Sequence, residues 1–371
     1  MIFKNSIDLK QLLPQFSIDG KIESVKPFGT GHINSTFISV WNQDGQEKKF
    51  IHQRINEKIF PHPELVMENI SRVTNHIRKI AMCSGLKDNS DCTLTIVPSH
   101  DGKLFVKDSE GGCWRTYVFI NGYSLDIVRS PQDAWFLGKG IANFQKQLID
   151  LNSCEIIETI PNFHNMPHRY SAFHEALLRD NHQRVKSVAN EIAFMLENEQ
   201  RGHLLIDSLN NGKIPLRICH NDAKLSNILI DKNTNEFLCV IDLDTVMPGS
   251  SLFDLGDLIR TVTTLTAEDE KDISKIDFDL LYFEKLLEGY LCEALDFLEP
   301  AEISLLCEAG RNITQIMGLR FLTDYLEGDI YYRIAHPSHN LDRCRTQIAL
   351  IHSMDAKWEE ALLIAGKLIK R

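Results

Sequence analysis

Between Cys219 and Asp257 the chain reads CHNDAKLSNILIDKNTNEFLCVIDLDTVMPGSSLFDLGD, and no other stretch narrows the possible folds as sharply. A polar loop with His220, Asp222 and Asn227 in an HxDxxxxN pattern is followed by two apolar runs of strand length, NILID and FLCVID. The second run ends at two acids, Asp242 and Asp244. The loop thus offers a carboxylate and then an amide, and a further carboxylate stands at the end of a nearby strand. Those groups in that order suit phosphoryl transfer: one Asp accepts the proton of an attacking hydroxyl, while Asn and the later Asp hold Mg²⁺ on the phosphates. The plainer reading is a polar turn before a hairpin with acids at the strand ends. Position, spacing and strand context all favour the chemical one.

The rest of the chain sets bounds on this reading. At roughly 150 residues per domain, 371 residues make two or three lobes. With 43% hydrophobic and 25% charged residues, the chain buries a sizeable core. A net charge of −11 speaks against a nucleic-acid partner, whose footprint is a basic patch. The nine cysteines include no CxxC pair, which reads as reduced thiols and a cytoplasmic setting. Cys219 and Cys239 lie in apolar strand contexts and are expected to be core residues. The N-terminus lacks a basic segment followed by an apolar one, and no apolar run approaches the roughly 18 residues of a membrane span.

In chain order, 6–16 is expected to be a short amphipathic helix. Residues 22–29, 34–41 and 48–55 alternate as strands, with a hairpin at Asn42-Gln43-Asp44-Gly45. The turn GTGHIN, with Gly29 and Gly31, lets backbone N–H groups approach phosphates. A helix follows Pro63, and three further strands are expected at 93–98, 103–107 and 113–120. Past Asn121-Gly122 the periodicity becomes helical. Ser130-Pro131 opens a helix to about 152, and others are expected over 168–185, 187–209, 254–264, 277–298, 301–326 and 342–370. The expected architecture is therefore α+β and bilobal. A small β-rich lobe over 1–122 carries one inserted helix, and a larger helical lobe over 123–371 holds the catalytic loop, metal site and acceptor site.

That organisation, with HNDAKLSN and VIDLD, resembles the aminoglycoside phosphotransferase and choline kinase family, the small-molecule branch of the protein-kinase-like fold. GHINSTF, FIHQRIN, VIDLDTVMPGS, FDLGDLIR and RFLTDYLEGDIYY narrow the resemblance to the N-acetylhexosamine 1-kinase group, which phosphorylates the anomeric hydroxyl of GlcNAc or GalNAc. The resemblance implies ATP and Mg²⁺ as cofactors, a sugar and a nucleotide as the small-molecule partners, Asp222 as base, and Asn227 and Asp242 as metal ligands. Lys224 would neutralise the transferred phosphoryl group, or else be a solvated loop lysine. His220 would brace the loop. Gly29 and Gly31 would cover the phosphates, and Phe119 and Ile120 would offer backbone groups to adenine. Arg320 and Tyr331 would contact the sugar. Asp244, two residues beyond Asp242 on the same strand face, would look toward the sugar, or else be a second metal ligand or cap the TVMPG turn, and His32 would reach the sugar or a phosphate. For Arg320 the ordinary alternative is an ion pair with Asp324 four residues on, and Tyr331 could equally be a packing residue.

Two departures from kinases in general stand out. The third strand reads FIHQRIN, without the Lys that holds the α- and β-phosphates, so Arg54 or Gln53 must substitute, with Glu68 or Glu64 as helix partner. Strand phase decides between the first two. The metal-binding strand ends Asp-Leu-Asp rather than Asp-Phe-Gly, which argues against a peptide substrate. The competing functions are a kinase for another small alcohol (choline, homoserine or an aminoglycoside), a catalytically dead nucleotide-binding regulator, and a metal-dependent hydrolase.

Overall fold

Asp44 and Gly45 both take positive φ (51° and 85°), the backbone that a two-residue hairpin needs to match the twist of its strands. Asn42 Oδ1 accepts from the Gly45 N–H at 2.9 Å, and the expected hairpin forms. The structure is a computed structural model that describes residues 9, 11–29, 33–85 and 91–370. The chain divides into two compact units. The first comprises Met1–Gly122, Cys154–Pro161 and Cys239–Met247; the second comprises Tyr123–Ser153, Asn162–Leu238 and Pro248–Arg371.

In the first unit, strands β1 (Lys21–Pro27), β2 (Ser35–Gln43) and β3 (Gln46–Arg54) precede helix α1 (Pro63–Cys83). Strands β4 (Ile96–Val97), β5 (Val106–Lys107) and β6 (Cys113–Val118) follow it. They form an antiparallel sheet in the order β1-β2-β3-β6-β4, with β5 also on β6. The expected strands at 93–98 and 103–107 shrink to two residues each. Alternation sorts the side chains. Phe37, Trp41, Phe50, Val97, Val106 and Trp114 cluster on one face with Leu12, Leu13 and Phe16. His52 shares that face and is fully buried between Ser39 Oγ (2.6 Å) and Thr116 Oγ1 (2.8 Å). On the other face Met67 of α1 meets Arg115.

The second unit is mainly helical. Helix α2 (Pro131–Gln147) starts as expected, with Ser130 capping the Asp133 N–H at 3.2 Å. Next come α3 (Met166–Arg179), α4 (Ala189–Gly202) and α5 (Leu204–Asn210), then α6 (Ser251–Val262) and α7 (Leu280–Ala294). The chain ends with α8 (Pro300–Ile303), α9 (Leu306–Leu326), α10 (His339–Ala356) and α11 (Trp358–Leu368). Helices α2 and α7 touch backbone to backbone: a Cβ on Gly289 would fall 2.0 Å from the Trp135 carbonyl oxygen, so the contact requires glycine. Three long helices expected from periodicity are broken, at His203, at Ser304-Leu305 and at Lys357. Lys357 Nζ is tied to Asp277 (2.6 Å) and to the Phe278 carbonyl (2.8 Å), which fixes the chain where it changes direction. Cys219 and Cys239 are buried, as their apolar contexts imply. Among the described residues no helix is long and apolar enough to cross a membrane.

The buried histidines make acid stability predictable. Burial lowers His52 to about 3, and it lowers His164 to about 3 against the hydrogen bond of its Nε2 to the Asn221 carbonyl. In an unfolded chain both titrate near ~6.5. Between those values the unfolded state binds more protons, so stability is lost as pH falls below the unfolded value. The limiting slope is about 1.4 kcal/mol per pH unit for each histidine. Denaturant titrations at pH 7, 6 and 5 should show this fall, and His52→Gln should remove about half of it.

Candidate active site

The HxDxxxxN loop is built inside the second unit. Strand β7 (Arg217–Cys219) leads into it, and strand β8 (Ile228–Asp231) leads out. Asp254, in the first turn of α6 and fully buried, accepts the backbone N–H of His220 (3.0 Å) and of Asn221 (2.7 Å). Gln145 donates to the same carboxylate at 3.1 Å, and Tyr290 holds Gln145 at 2.8 Å. Burial pushes the Asp254 carboxyl upward, against the contrary pull of His220 and these donors. Asn221 sits in the left-handed region (φ 62°), which Asn tolerates. His164 fastens its carbonyl at 2.8 Å. His220 braces the loop, its Nδ1 accepting the Asp222 N–H at 3.2 Å.

Asp222 and Asn227 come together as their spacing predicts. Asn227 Nδ2 donates to the Asp222 carbonyl (2.8 Å) and to Oδ2 of its side chain (3.0 Å). With the amide nitrogen committed to Asp222, the Asn227 oxygen is left free of that bond. Lys224 Nζ lies 3.1 Å from the same carboxylate oxygen and is 37% exposed. Burial raises the Asp222 carboxyl, but Lys224, His220 and the Asn227 hydrogen bond outweigh it, and the group sits below its ordinary value. Asp222 is therefore ionised at neutral pH.

Arg320 and Tyr331 are also brought together, with Nη2 3.5 Å from the phenolic oxygen. The guanidinium lies over three rings, at 5.1 Å from Phe163, 5.6 Å from Tyr331 and 5.6 Å from Tyr332. Among the described residues no carboxylate pairs with Arg320. The alternative ion pair with Asp324 does not form, because Asp324 is buried and spent on backbone: it accepts from Ile330 (2.9 Å), Tyr331 (2.8 Å), Tyr332 (3.0 Å) and the Asn340 side chain (2.8 Å). That turn presents Tyr331. Burial lowers Arg320 and the two tyrosines and Asp222 raise it, leaving it above its usual value. Asp222 is thus close enough for its charge to be felt there.

The first unit holds the remaining expected residues. Strand phase answers the choice left open on β3, because Gln53 stands directly opposite Arg115 on β6 and Arg54 opposite Trp114. Arg54 therefore faces away from the acids and pairs with Asp108 (3.2 Å) and Glu110 (3.5 Å). The helix partner left open between Glu68 and Glu64 is corrected as well: Glu68 is exposed on α1 and pairs with Arg72 at 3.4 Å, and Glu64 lies 3.3 Å from His62. Sequence reasoning passed over Arg115, which is 1% exposed and forms a buried ion pair with Asp244. Its Nε and Nη2 donate to Gln53 Oε1 at 3.0 and 2.8 Å. Asn34 donates to the other Asp244 oxygen at 2.7 Å. The Asp244 side chain, expected to face a sugar, is instead buried with both oxygens engaged. Asp242 takes left-handed backbone (φ 60°, ψ 52°) at the head of the 243–245 turn.

Gly29 has φ +73° with open space where a Cβ would stand, whereas Gly31 and His32 lie outside the described residues. The Phe119 N–H is spent on the Lys49 carbonyl (3.0 Å), and the Ile120 carbonyl accepts from Gly122 (2.9 Å). Beside Arg115, with its ring 5.3 Å from the guanidinium, Tyr117 is buried and its hydroxyl has no partner among the described residues. An unpaired buried hydroxyl costs about 1–3 kcal/mol. Tyr117→Phe should therefore raise stability by about 1 kcal/mol in denaturant unfolding, where most core substitutions lower it.

A family model described as the phosphotransferase enzyme family matches residues 108–300, and the chain belongs to that family. Its fold is protein-kinase-like, a β-sheet unit with one helix and a helical unit. An aminoglycoside phosphotransferase from Alicyclobacillus acidocaldarius is 12% identical, with a TM-score of 0.57 over 97% of this chain and 95% of that one. A choline kinase from Cryptosporidium parvum is 13% identical, with a TM-score of 0.51 over 94% and 93%. A spectinomycin phosphotransferase, solved with ADP and spectinomycin, is 14% identical, with a TM-score of 0.50 over 97% of each chain.

Proposed function

We propose that this phosphotransferase uses ATP and Mg²⁺ to phosphorylate a small sugar, namely the anomeric hydroxyl of an N-acetylhexosamine. The observation that carries the reading is the Arg320 wall in the same unit as Asp222. Three aromatic rings surround a guanidinium that no described carboxylate neutralises. Aromatic faces pack on the C–H faces of a sugar ring, and the guanidinium donates to hydroxyl or acetamido oxygens. A polycationic aminoglycoside would meet like charge there, from Arg320 and from nearby Arg169, both of whose charges act on His164.

Asn227 and Asp242 supply the hard oxygen donors that Mg²⁺ takes, and a cation that keeps phosphate and water ligands needs few protein groups. When bound, Mg²⁺ neutralises charge on the phosphate oxygens. Asp222 is ionised and orients the acceptor hydroxyl, then takes its proton as the bond to phosphorus forms. Its lowered pKa makes it a weak base, which suits a loose transition state where proton transfer comes late. Lys224 beside it lends positive charge to the transferring group. In the first unit the Gly29 turn covers the phosphates, and the backbone at Phe119 and Ile120 offers hydrogen-bonding groups to adenine. The nucleotide lobe is the first unit, which extends beyond the expected 1–122 to take in Cys154–Pro161 and Cys239–Met247, and the second unit carries the loop and acceptor wall. The test is incubation with ATP, Mg²⁺ and a panel of sugars, amino alcohols and aminoglycosides, read by ³¹P NMR. A sugar 1-phosphate is expected; turnover on choline or an aminoglycoside alone would overturn the substrate.

A further inference from the structure

A buried cation is expected beside phosphate- and metal-handling acids in this fold, and β3 does not supply it. It comes from another strand. Thr36 on β2, Gln53 on β3 and Arg115 on β6 lie in one row across the sheet, since Thr36 pairs with Gln53 and Gln53 with Arg115 in the register. Gln53 Nε2 donates to Thr36 Oγ1 at 3.1 Å, which turns its Oε1 toward two N–H groups of Arg115. The guanidinium is thereby aimed, and its remaining arm meets Asp244.

Asp244 is held at every polar atom of its side chain, and at its backbone carbonyl by Thr159 Oγ1 at 3.2 Å. Two residues further on, Asn69 Nδ2 reaches the Val246 carbonyl at 3.3 Å. These ties pin the short turn whose first residue is Asp242. Asp242 lies in the left-handed region, which residues other than glycine adopt only singly and where local contacts hold them. The charge of Arg115 also interacts with Asp242 itself.

We propose that Arg115, aimed by Gln53, is the positioning residue that fixes the metal-binding carboxylate Asp242 through its clamp on Asp244. The inference rests on the reading of Asp242 as metal ligand given above. Gln53 and Arg115 together then replace the lysine that β3 lacks. Arg115 needs its fork for this, because a single ammonium cannot serve Gln53 and Asp244 in the same geometry.

The test is Mn²⁺·ADP binding by calorimetry on the full chain, with thermal unfolding measured alongside. Asp242→Asn examines the underlying reading and should abolish metal-dependent nucleotide binding; unchanged binding would sink that reading and this one with it. Arg115→Lys should weaken Mn²⁺·ADP binding about ten- to a hundredfold, the usual cost of losing a partner that orients a ligand. The paired variant Arg115→Met with Asp244→Leu removes both buried charges, so its melting temperature should recover toward wild type while binding stays weak. Wild-type binding in Arg115→Lys or in the paired variant, with Asp242→Asn defective, would leave the metal reading standing and overturn the positioning role.

Discussion

Asp222→Asn should lower turnover by at least about a hundredfold, the usual contribution of a positioned general base, while folding and nucleotide binding persist. The amide is nearly isosteric, so Asn227 and Lys224, now at 3.0 and 3.1 Å from Oδ2, lose a charged acceptor but keep their space. Lys224 is partly exposed, so water takes over its charge and the stability change stays within about 1 kcal/mol. Steady-state kinetics beside a denaturant melt separate the two effects. Turnover that survives the substitution would take the base role away from Asp222. A simultaneous loss of stability of several kcal/mol would mean that the loop depends on this carboxylate for its fold.

The features that were legible in the sequence are those carried by local pattern. Asp222 and Asn227 lie five residues apart on one loop, and a single turn closes them on each other whatever the rest of the chain does. The 42–45 hairpin follows from turn chemistry alone. Arg320 and Tyr331 were placed by resemblance, and the reason they meet lay with Asp324, whose four hydrogen bonds build the turn between them. The cation on the sheet was missed because its position depends on register. Arg54 is the charged residue at the familiar place, yet strand phase turns it to Asp108, and the partner of Gln53 is 62 residues away on β6. A signal did exist. Arg115 is the lone charge in the apolar run CWRTYVFI, and a charge in the middle of a buried strand must find an acid. The break at His203 had a signal in the preceding Gly202, which weakens a helix interior, whereas Lys357 fits an uninterrupted helix.

Asp254 shows the same dependence on tertiary partners, and its loss should be the more damaging substitution. Its sequence context, FDLGD in an apolar helix, gives no hint that the carboxylate faces a loop more than thirty residues upstream. Yet it is the acceptor for two backbone N–H groups of that loop and for Gln145. Asp254→Ala leaves those donors buried without partners, at about 1–3 kcal/mol each, so a loss of about 3 kcal/mol or more is expected in denaturant unfolding. Asp254→Asn keeps one acceptor oxygen for two N–H groups and should fall between alanine and wild type. The remaining folded fraction should also be slow, because these bonds and His164 hold Asn221 in left-handed backbone, and Asp222 is the next residue. Asp222→Asn and Asp254→Ala therefore make opposite signatures: the first loses turnover at constant stability, and the second loses both together. If Asp254→Ala kept full stability, the loop would be held by its own side chains. If it lost stability but retained wild-type turnover per folded molecule, the position of Asp222 would not depend on the backbone that Asp254 holds.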